Sequence, residues 1–338
     1  MRDALKTLLY PFEADVVPLP ASGERILFLG AEAGFRSSDV LKNVDLTCIQ
    51  GFRPHFRALE AARHTVVPQP TGDNYDAALI LCGRHRGQNE TWIGEAVSRT
   101  KVGALILLAG SKEDGTASLR KRLEGAIELN GYLPKYHGLA IWFRLQQDTK
   151  PLLATLNPGE EPTLVEGHFV TAPGMFSHDR IDTGSRLLAE HLPADISGQV
   201  ADFCSGWGYL AREAVMRCPK IKAIDLYEAD FASLEAAKIN LADATKPARF
   251  FWHDLAAEPV TSRYDAIVMN PPFHADRRAD PLLGQDMIKA AARALKSGGR
   301  LLLVANHHLP YEKTMPGLFS SFSEIARGQG FKVILAKR

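Results

Sequence analysis

The amino-acid sequence predicts an α/β protein built from two tandem, doubly wound, Rossmann-like domains. Three observations carry that expectation. Apolar runs of strand length alternate with helix-like stretches through the second half. The first half repeats the plan with closely similar strands. Turns bearing glycine or proline close several strands, where a parallel sheet gathers its ligand-binding loops.

In chain order, the run 25–30 reads as a strand leading into Ala31-Glu32-Ala33-Gly34. The run 75–82, Tyr-Asp-Ala-Ala-Leu-Ile-Leu-Cys, matches the later Tyr264–Met269 in pattern, and 103–110 parallels 299–306. A Pro/Gly/Glu-rich stretch at 157–162 marks a linker. The expected domains are therefore 1–157 and 158–338, the second opening with a lead-in segment at 164–198. In that half the strands are 200–204, 221–227, Ala248–Trp252, Tyr264–Met269 and 300–305. The helices between them are Tyr209–Arg217, 231–244 and 282–295, the last stopped by Ser297-Gly298-Gly299. Runs 322–326 and 331–336, split by Gly328-Gln329-Gly330, read as a closing β-hairpin.

Composition narrows the function. Forty basic against 39 acidic residues give a net charge of +1, so bulk phosphate neutralisation is not the design, although a local basic face is compatible with it. Four scattered cysteines (Cys48, Cys82, Cys204, Cys218) contain no C-x-x-C pair, which suggests neither a disulfide framework nor a zinc site. No metal is expected. The first residues lack the cationic and apolar pattern of a signal peptide, and no apolar stretch reaches membrane-spanning length. A cytoplasmic protein with no membrane partner is the expectation.

The most informative motif is Asn270-Pro271-Pro272-Phe273-His274, which ends the strand Tyr264–Met269. Proline lacks an N–H, has a fixed φ and forces the preceding residue toward extended geometry. Two prolines thus stiffen the corner and leave the Asn270 amide oxygen and the Pro271 carbonyl as acceptors. Such a pair, with an aromatic neighbour, suits a planar group carrying an NH2, as methyl transfer to nitrogen requires. Phe273 would stack on that group; core packing is its other reading. The residues that follow, His274, Arg277 and Arg278, are candidate substrate contacts, the arginines toward phosphates.

A second motif, Asp202-Phe203-Cys204-Ser205-Gly206-Trp207-Gly208, joins a strand to a helix. Gly206 and Gly208 let backbone approach a ligand closely, yet alone they describe any tight turn. Glu228 follows the next strand, where it can accept both hydroxyls of a ribose, and Asp254 follows the third, where it can accept from an adenine amine. Each acid alone also reads as a helix cap. Taken together with Asn270, all at strand C-terminal ends, they point to a pocket for S-adenosylmethionine.

These motifs, with Pro173-Gly174-Met175-Phe176-Ser177, Asp182-Thr183-Gly184-Ser185 and the segment 304–311, resemble a known family. The second half is similar to class I S-adenosylmethionine-dependent methyltransferases of the bacterial ribosomal RNA guanine-N2 type that act on the small subunit. The resemblance implies a seven-stranded catalytic domain ending in a β-hairpin, a degenerate N-terminal copy that supports the fold and docks RNA, and transfer of a methyl group to guanine N2 in rRNA, 16S favoured. It implies ribosomal RNA or the small subunit as partner, a monomer, and a cofactor set of Asp202, Cys204, Gly206, Gly208, Glu228, Asp254, Asn270, Asp182 and Ser185. Helix capping explains Asp182 and Ser185 equally well. One departure stands out: the family usually has Gly at Cys204, which fits if its φ is negative. Phe28 and Glu32 fall where Asp202 and Gly206 stand, so the first half should bind no cofactor. Arg84, Arg86, Arg120, Lys121 and Arg122 are its candidate phosphate contacts, or a solvated cluster. Two other functions fit the motifs: N-methylation of protein glutamine or DNA adenine, and a non-catalytic RNA-binding assembly factor.

Overall fold

The computed structural model describes residues 2–35, 39–156, 163–272, 274–275, 278–279 and 281–338. The chain divides into two compact units, Met1–Glu161 and Pro162–Arg338. The linker expected at 157–162 lies outside the described residues.

Unit one contains β1 (Arg25–Leu29), β2 (Asp45–Ile49), β3 (Thr65–Val67), β4 (Tyr75–Leu81), β5 (Thr100–Ser111), β6 (Gly131–Lys135) and β7 (Gly138–Arg144). Its helices are α1 (Asp3–Glu13), α2 (Arg53–Ala61), α3 (Arg86–Arg99), α4 (Thr116–Glu124) and α5 (Lys150–Leu156). They surround a seven-stranded sheet in the order β3-β2-β1-β4-β5-β7-β6. Unit two begins with a small hairpin, β8 (Thr163–Val165) and β9 (Phe169–Thr171), followed by α6 (Thr183–Glu190). Then come β10 (Gly198–Phe203), α7 (Tyr209–Arg217), β11 (Ile221–Glu228), α8 (Phe231–Asn240), β12 (Ala248–Trp252) and β13 (Tyr264–Met269). After a two-stranded ribbon, β14 (His274–Ala275) and β15 (Arg278–Ala279), the unit closes with α9 (Pro281–Ala294), β16 (Leu295–Asn306), β17 (Ser321–Gly328) and β18 (Phe331–Lys337). The main sheet runs β12-β11-β10-β13-β16-β18-β17, the same path as in unit one.

Central strands such as β13, Tyr-Asp-Ala-Ile-Val-Met, are apolar almost throughout because both faces of a parallel sheet are covered. Alternate residues feed opposite faces. Val200, Val268, Leu302 and Val304 join α6, α7 and α8 in one cluster. Phe203, Ile267, Leu301 and Leu303 join α9 in the other. Helices on both faces leave the strand C-terminal ends as the place where loops converge.

Two boundaries differ from the expectation in ways that matter to the fold, besides shifts of one or two residues at several strand ends. The last helix ends at Ala294, before the glycines, and β16 begins at once. Tyr264 pairs with Leu295, but the next pair in the ladder is Ala266 with Arg300. The residues between loop outward, with Gly298 at φ +75, so the glycines serve an irregularity within the strand. Unit one repeats this: Tyr75 pairs with Thr100, Ala77 with Leu105, and Gly103 has φ +83. The helix expected over 231–244 stops at Asn240, whose side chain turns inward.

Candidate active site

The turn after β10 is built on left-handed backbone. Cys204 has φ +60, Gly206 +53 and Gly208 +90. The negative φ expected for Cys204 is therefore not what the chain adopts. Gly30 occupies the matching place in unit one with φ +68, so the turn itself demands the conformation, and Cys204 carries the cost of a Cβ there. Burial, and then the charges of Glu228 and Asp202, push its thiol well up, which makes it a poor nucleophile. The two glycines differ in purpose. A Cβ on Gly208 would lie 2.7 Å from Leu241 Cδ1, so its absence lets α7 sit against α8. A Cβ on Gly206 would meet nothing within 4 Å, because that backbone faces open space.

Acidic groups lie behind this turn. Glu228 accepts the Gly206 N–H at 2.7 Å and the Asp230 N–H at 2.8 Å, one per carboxylate oxygen. Desolvation raises its pKa to about 7, against the lowering effect of those N–H groups. Asp202 is fully buried, and neither carboxylate oxygen has a hydrogen-bond partner among the described residues. Burial pushes its pKa well up; the Ala211 N–H offsets part of this without completing a hydrogen bond, and the Glu228 charge adds to it. Buried acids short of donors fit a ligand that brings hydroxyls or an ammonium group. Asp254 follows β12, next to β11, where its Oδ1 accepts the Ala256 N–H at 3.1 Å.

Asn270 reaches the same place from β13. It lines an open cleft with Asp182, Ser185, Cys204, Ser205, Gly206, Trp207 and Phe176. The Asn270 Nδ2 donates to Asp182 Oδ2 at 3.0 Å and to Ser185 Oγ at 2.8 Å. Asp182 also caps α6, accepting the Ser185 N–H at 2.8 Å. Pro271 is buried and Pro272 exposed. Asp202, Gly208, Glu228 and Asp254 are not in the cleft wall; Glu228 meets it through Gly206.

Phe273 and Arg277 lie outside the described residues, and of His274 and Arg278 only the backbone is described, in the ribbon β14–β15. In unit one, Arg86 and Arg122 both pair with the buried Glu90 carboxylate, and Arg120 sits 4.1 Å over the Tyr132 ring. These three arginines already have partners within the unit. Among the described residues, no cluster of His, Cys, Asp or Glu has a metal-holding arrangement. Among them, too, no helix is long and apolar enough to cross a membrane.

Two residues to which sequence reasoning gave no role, Trp207 and Asn240, hold the site's walls. The Trp207 Nε1 donates to Phe176 O at 3.0 Å, and Asn240 Nδ2 donates to Trp207 O at 2.8 Å and to Val170 O at 2.9 Å. The Asn240 Oδ1 accepts the Val170 N–H at 2.7 Å. An amide on the apolar stripe Leu234, Ala237, Leu241 was the available signal. Lys332 is buried in β18, where its Nζ donates to Leu309 O at 2.7 Å and pairs with Glu312 at 2.6 Å. It fixes the segment after β16, away from the cleft lining, and its place between Phe331 and Val333 was the signal in the sequence.

Comparison with known proteins agrees with this geometry. The family model of the methyltransferase small domain matches residues 166–335. The ribosomal RNA small subunit methyltransferase C of Salmonella arizonae is 32% identical over 264 residues, 76% of this chain and 74% of the relative. That of Pseudomonas entomophila is 29% identical over 269 residues, 78% and 80% of the two chains. The fold matches a T. thermophilus 16S rRNA N2 methyltransferase, solved in complex with AdoMet and guanosine, with a TM-score of 0.81. That match covers 100% of this chain and 92% of the other at 22% identity. The chain thus belongs to the ribosomal RNA small subunit methyltransferase C family, class I methyltransferases whose small-domain signature falls in unit two.

Proposed function

We propose that this protein transfers a methyl group from S-adenosylmethionine to the exocyclic N2 of a guanine in 16S ribosomal RNA. The observation that carries the reading is that the Asn270 corner and the Gly206 turn share one cleft. The relatives' names favour ribosomal RNA over glutamine or DNA adenine as the amine's source.

The residues present fit the cofactor. Gly206 leaves open space before the backbone, Asp202 offers unpartnered carboxylate oxygens, and each Glu228 oxygen retains a lone pair for a ribose hydroxyl. Asp254 stands in strand order for the adenine amine. When bound, S-adenosylmethionine supplies the methyl group and a sulfonium leaving group. The chain's own part is positioning. Asn270 Oδ1 and Pro271 O accept the two N–H bonds of the guanine amine, which draws its lone pair out of ring conjugation. Phe273 stacks on the base, which must leave its helix to reach the cleft. His274, Arg277 and Arg278 meet the RNA around it, and the amine proton passes to solvent. Unit one docks RNA and takes no cofactor. The enzyme acts as a cytoplasmic monomer on ribosomal RNA or the small ribosomal subunit, without a metal.

Labelled cofactor incubated with undermethylated 16S RNA, naked and assembled, is expected to label a guanine at N2. Asn270→Ala should lower kcat by about 10²–10³-fold while cofactor affinity holds. Label absent from every rRNA substrate removes the proposal.

A further inference from the structure

We propose that Asp182 and Ser185 are positioning residues for the Asn270 side chain: they fix which end of its amide faces the substrate. The inference rests on the methyltransferase reading above and deepens it, by saying what makes the cleft select an amine.

The assignment follows from donors and acceptors. An ionised carboxylate only accepts, so the Asn270 atom 3.0 Å from Asp182 Oδ2 must be the nitrogen. Ser185 alone would not decide this, because a hydroxyl both donates and accepts. Beside Ser185 alone, the amide could reverse and take the hydroxyl proton on Oδ1. Its NH2 would then face an incoming NH2, donor against donor. With Asp182 in place, both Asn270 N–H bonds are used, at 3.0 and 2.8 Å, and Oδ1 is left at the opposite edge of the amide, away from Asp182 and Ser185. The Asp182 oxygen is itself held in register. The same Oδ2 accepts the Ser185 backbone N–H at 2.8 Å as the α6 cap. Gly184 between them is packed so closely that a Cβ there would lie 2.8 Å from the Phe331 ring. Cap, glycine and hydroxyl thus form one rigid first turn that reads the amide. A site arranged this way accepts an amino group and rejects a carbonyl.

The test separates this role from direct cofactor binding. Asp182→Ser keeps a good helix cap but shortens the side chain, Ser185→Ala removes the second acceptor, and Asp182→Asn keeps an acceptor oxygen at the cap. The Asn270 side-chain NH2 signals in a ¹⁵N–¹H correlation spectrum are identified by their loss in Asn270→Ala. They are expected to shift in Asp182→Ser and Ser185→Ala and to stay near wild type in Asp182→Asn. At saturating RNA and cofactor, kcat should fall about 100-fold in Asp182→Ser, with Asp182→Asn restoring most of it. Calorimetric cofactor affinity should stay within about threefold throughout. Unmoved NH2 signals overturn the proposal, as does a tenfold loss of cofactor affinity with kcat intact. If the wild type labels no rRNA while the signals shift as described, the proposed reaction falls and the amide assignment stands.

Discussion

Single residues at this site are tuned by how many donors surround them. Glu228 has one N–H per oxygen and a pKa raised to about 7 by burial. The sign is that of a raised acid: its neutral form suits the folded protein, so its contribution to stability is full below the ordinary carboxylate range and is lost as pH rises through about 7. Ligand binding runs the other way, because only the ionised carboxylate accepts two hydroxyls at full strength. With a pKa of about 7, the ionised share climbs from about a tenth at pH 6 to about nine-tenths at pH 8. Calorimetric titration with S-adenosylmethionine should therefore show affinity rising about tenfold over that span. Glu228→Gln should give a weaker and pH-flat response. Glu228→Gln binding S-adenosylmethionine as tightly as the wild type at pH 8 would exclude Glu228 as the hydroxyl acceptor. Glu228 was legible from sequence as an acid after the second strand. Its grip on Gly206 was not, since the two are 22 positions apart and meet only through the turn.

At the scale of elements, the strand–turn–helix joining β10 to α7 separates binding from folding. Gly206 and Gly208 both require left-handed backbone, but only Gly208 is pressed by a neighbour. Gly208→Ala should cost about 2–4 kcal/mol in chemical denaturation, from left-handed strain plus the contact with Leu241. Gly206→Ala should cost about 1–2 kcal/mol, the backbone strain alone, yet weaken cofactor binding more than Gly208→Ala does. Equal losses of stability would mean that Gly206 is packed from behind. Strand and helix positions were largely readable: Tyr209–Arg217, Ala248–Trp252 and Tyr264–Met269 have the bounds their apolar patterns indicate. The end of α9 was not. A glycine pair normally stops a helix, and only the paired strand reveals that these glycines serve an irregular ladder between Tyr264 and Arg300.

On the scale of the whole chain, two units share one strand order but differ where the cofactor would sit. In unit one, a Cβ on Gly30 would lie 2.6 Å from the Trp92 ring, and Glu32 pairs with Arg2 at 2.9 Å. An indole therefore packs against Gly30, and where unit two has Gly206 facing open space, unit one has the Glu32 side chain paired with Arg2. Full-length protein should bind one S-adenosylmethionine per chain, and calorimetric stoichiometry reads this directly; two sites would refute the division of labour. The repeat itself was visible in the paired strands Tyr75–Leu81 and Tyr264–Met269. The packing of Trp92 against Gly30 was not, because nothing in the local pattern of α3 says which strand end its ring will meet.

By itself the sequence determined the alternation of strands and helices, the duplication and the stiff Asn-Pro-Pro corner, because periodicity and proline geometry act over a few residues. Tertiary structure alone decided the φ of Cys204, the donors left to Asp202 and the direction of the Asn270 amide. That amide is set by Asp182 and Ser185, 88 and 85 positions away. Its orientation comes from which acceptors the folded sheet and α6 bring within hydrogen-bond distance.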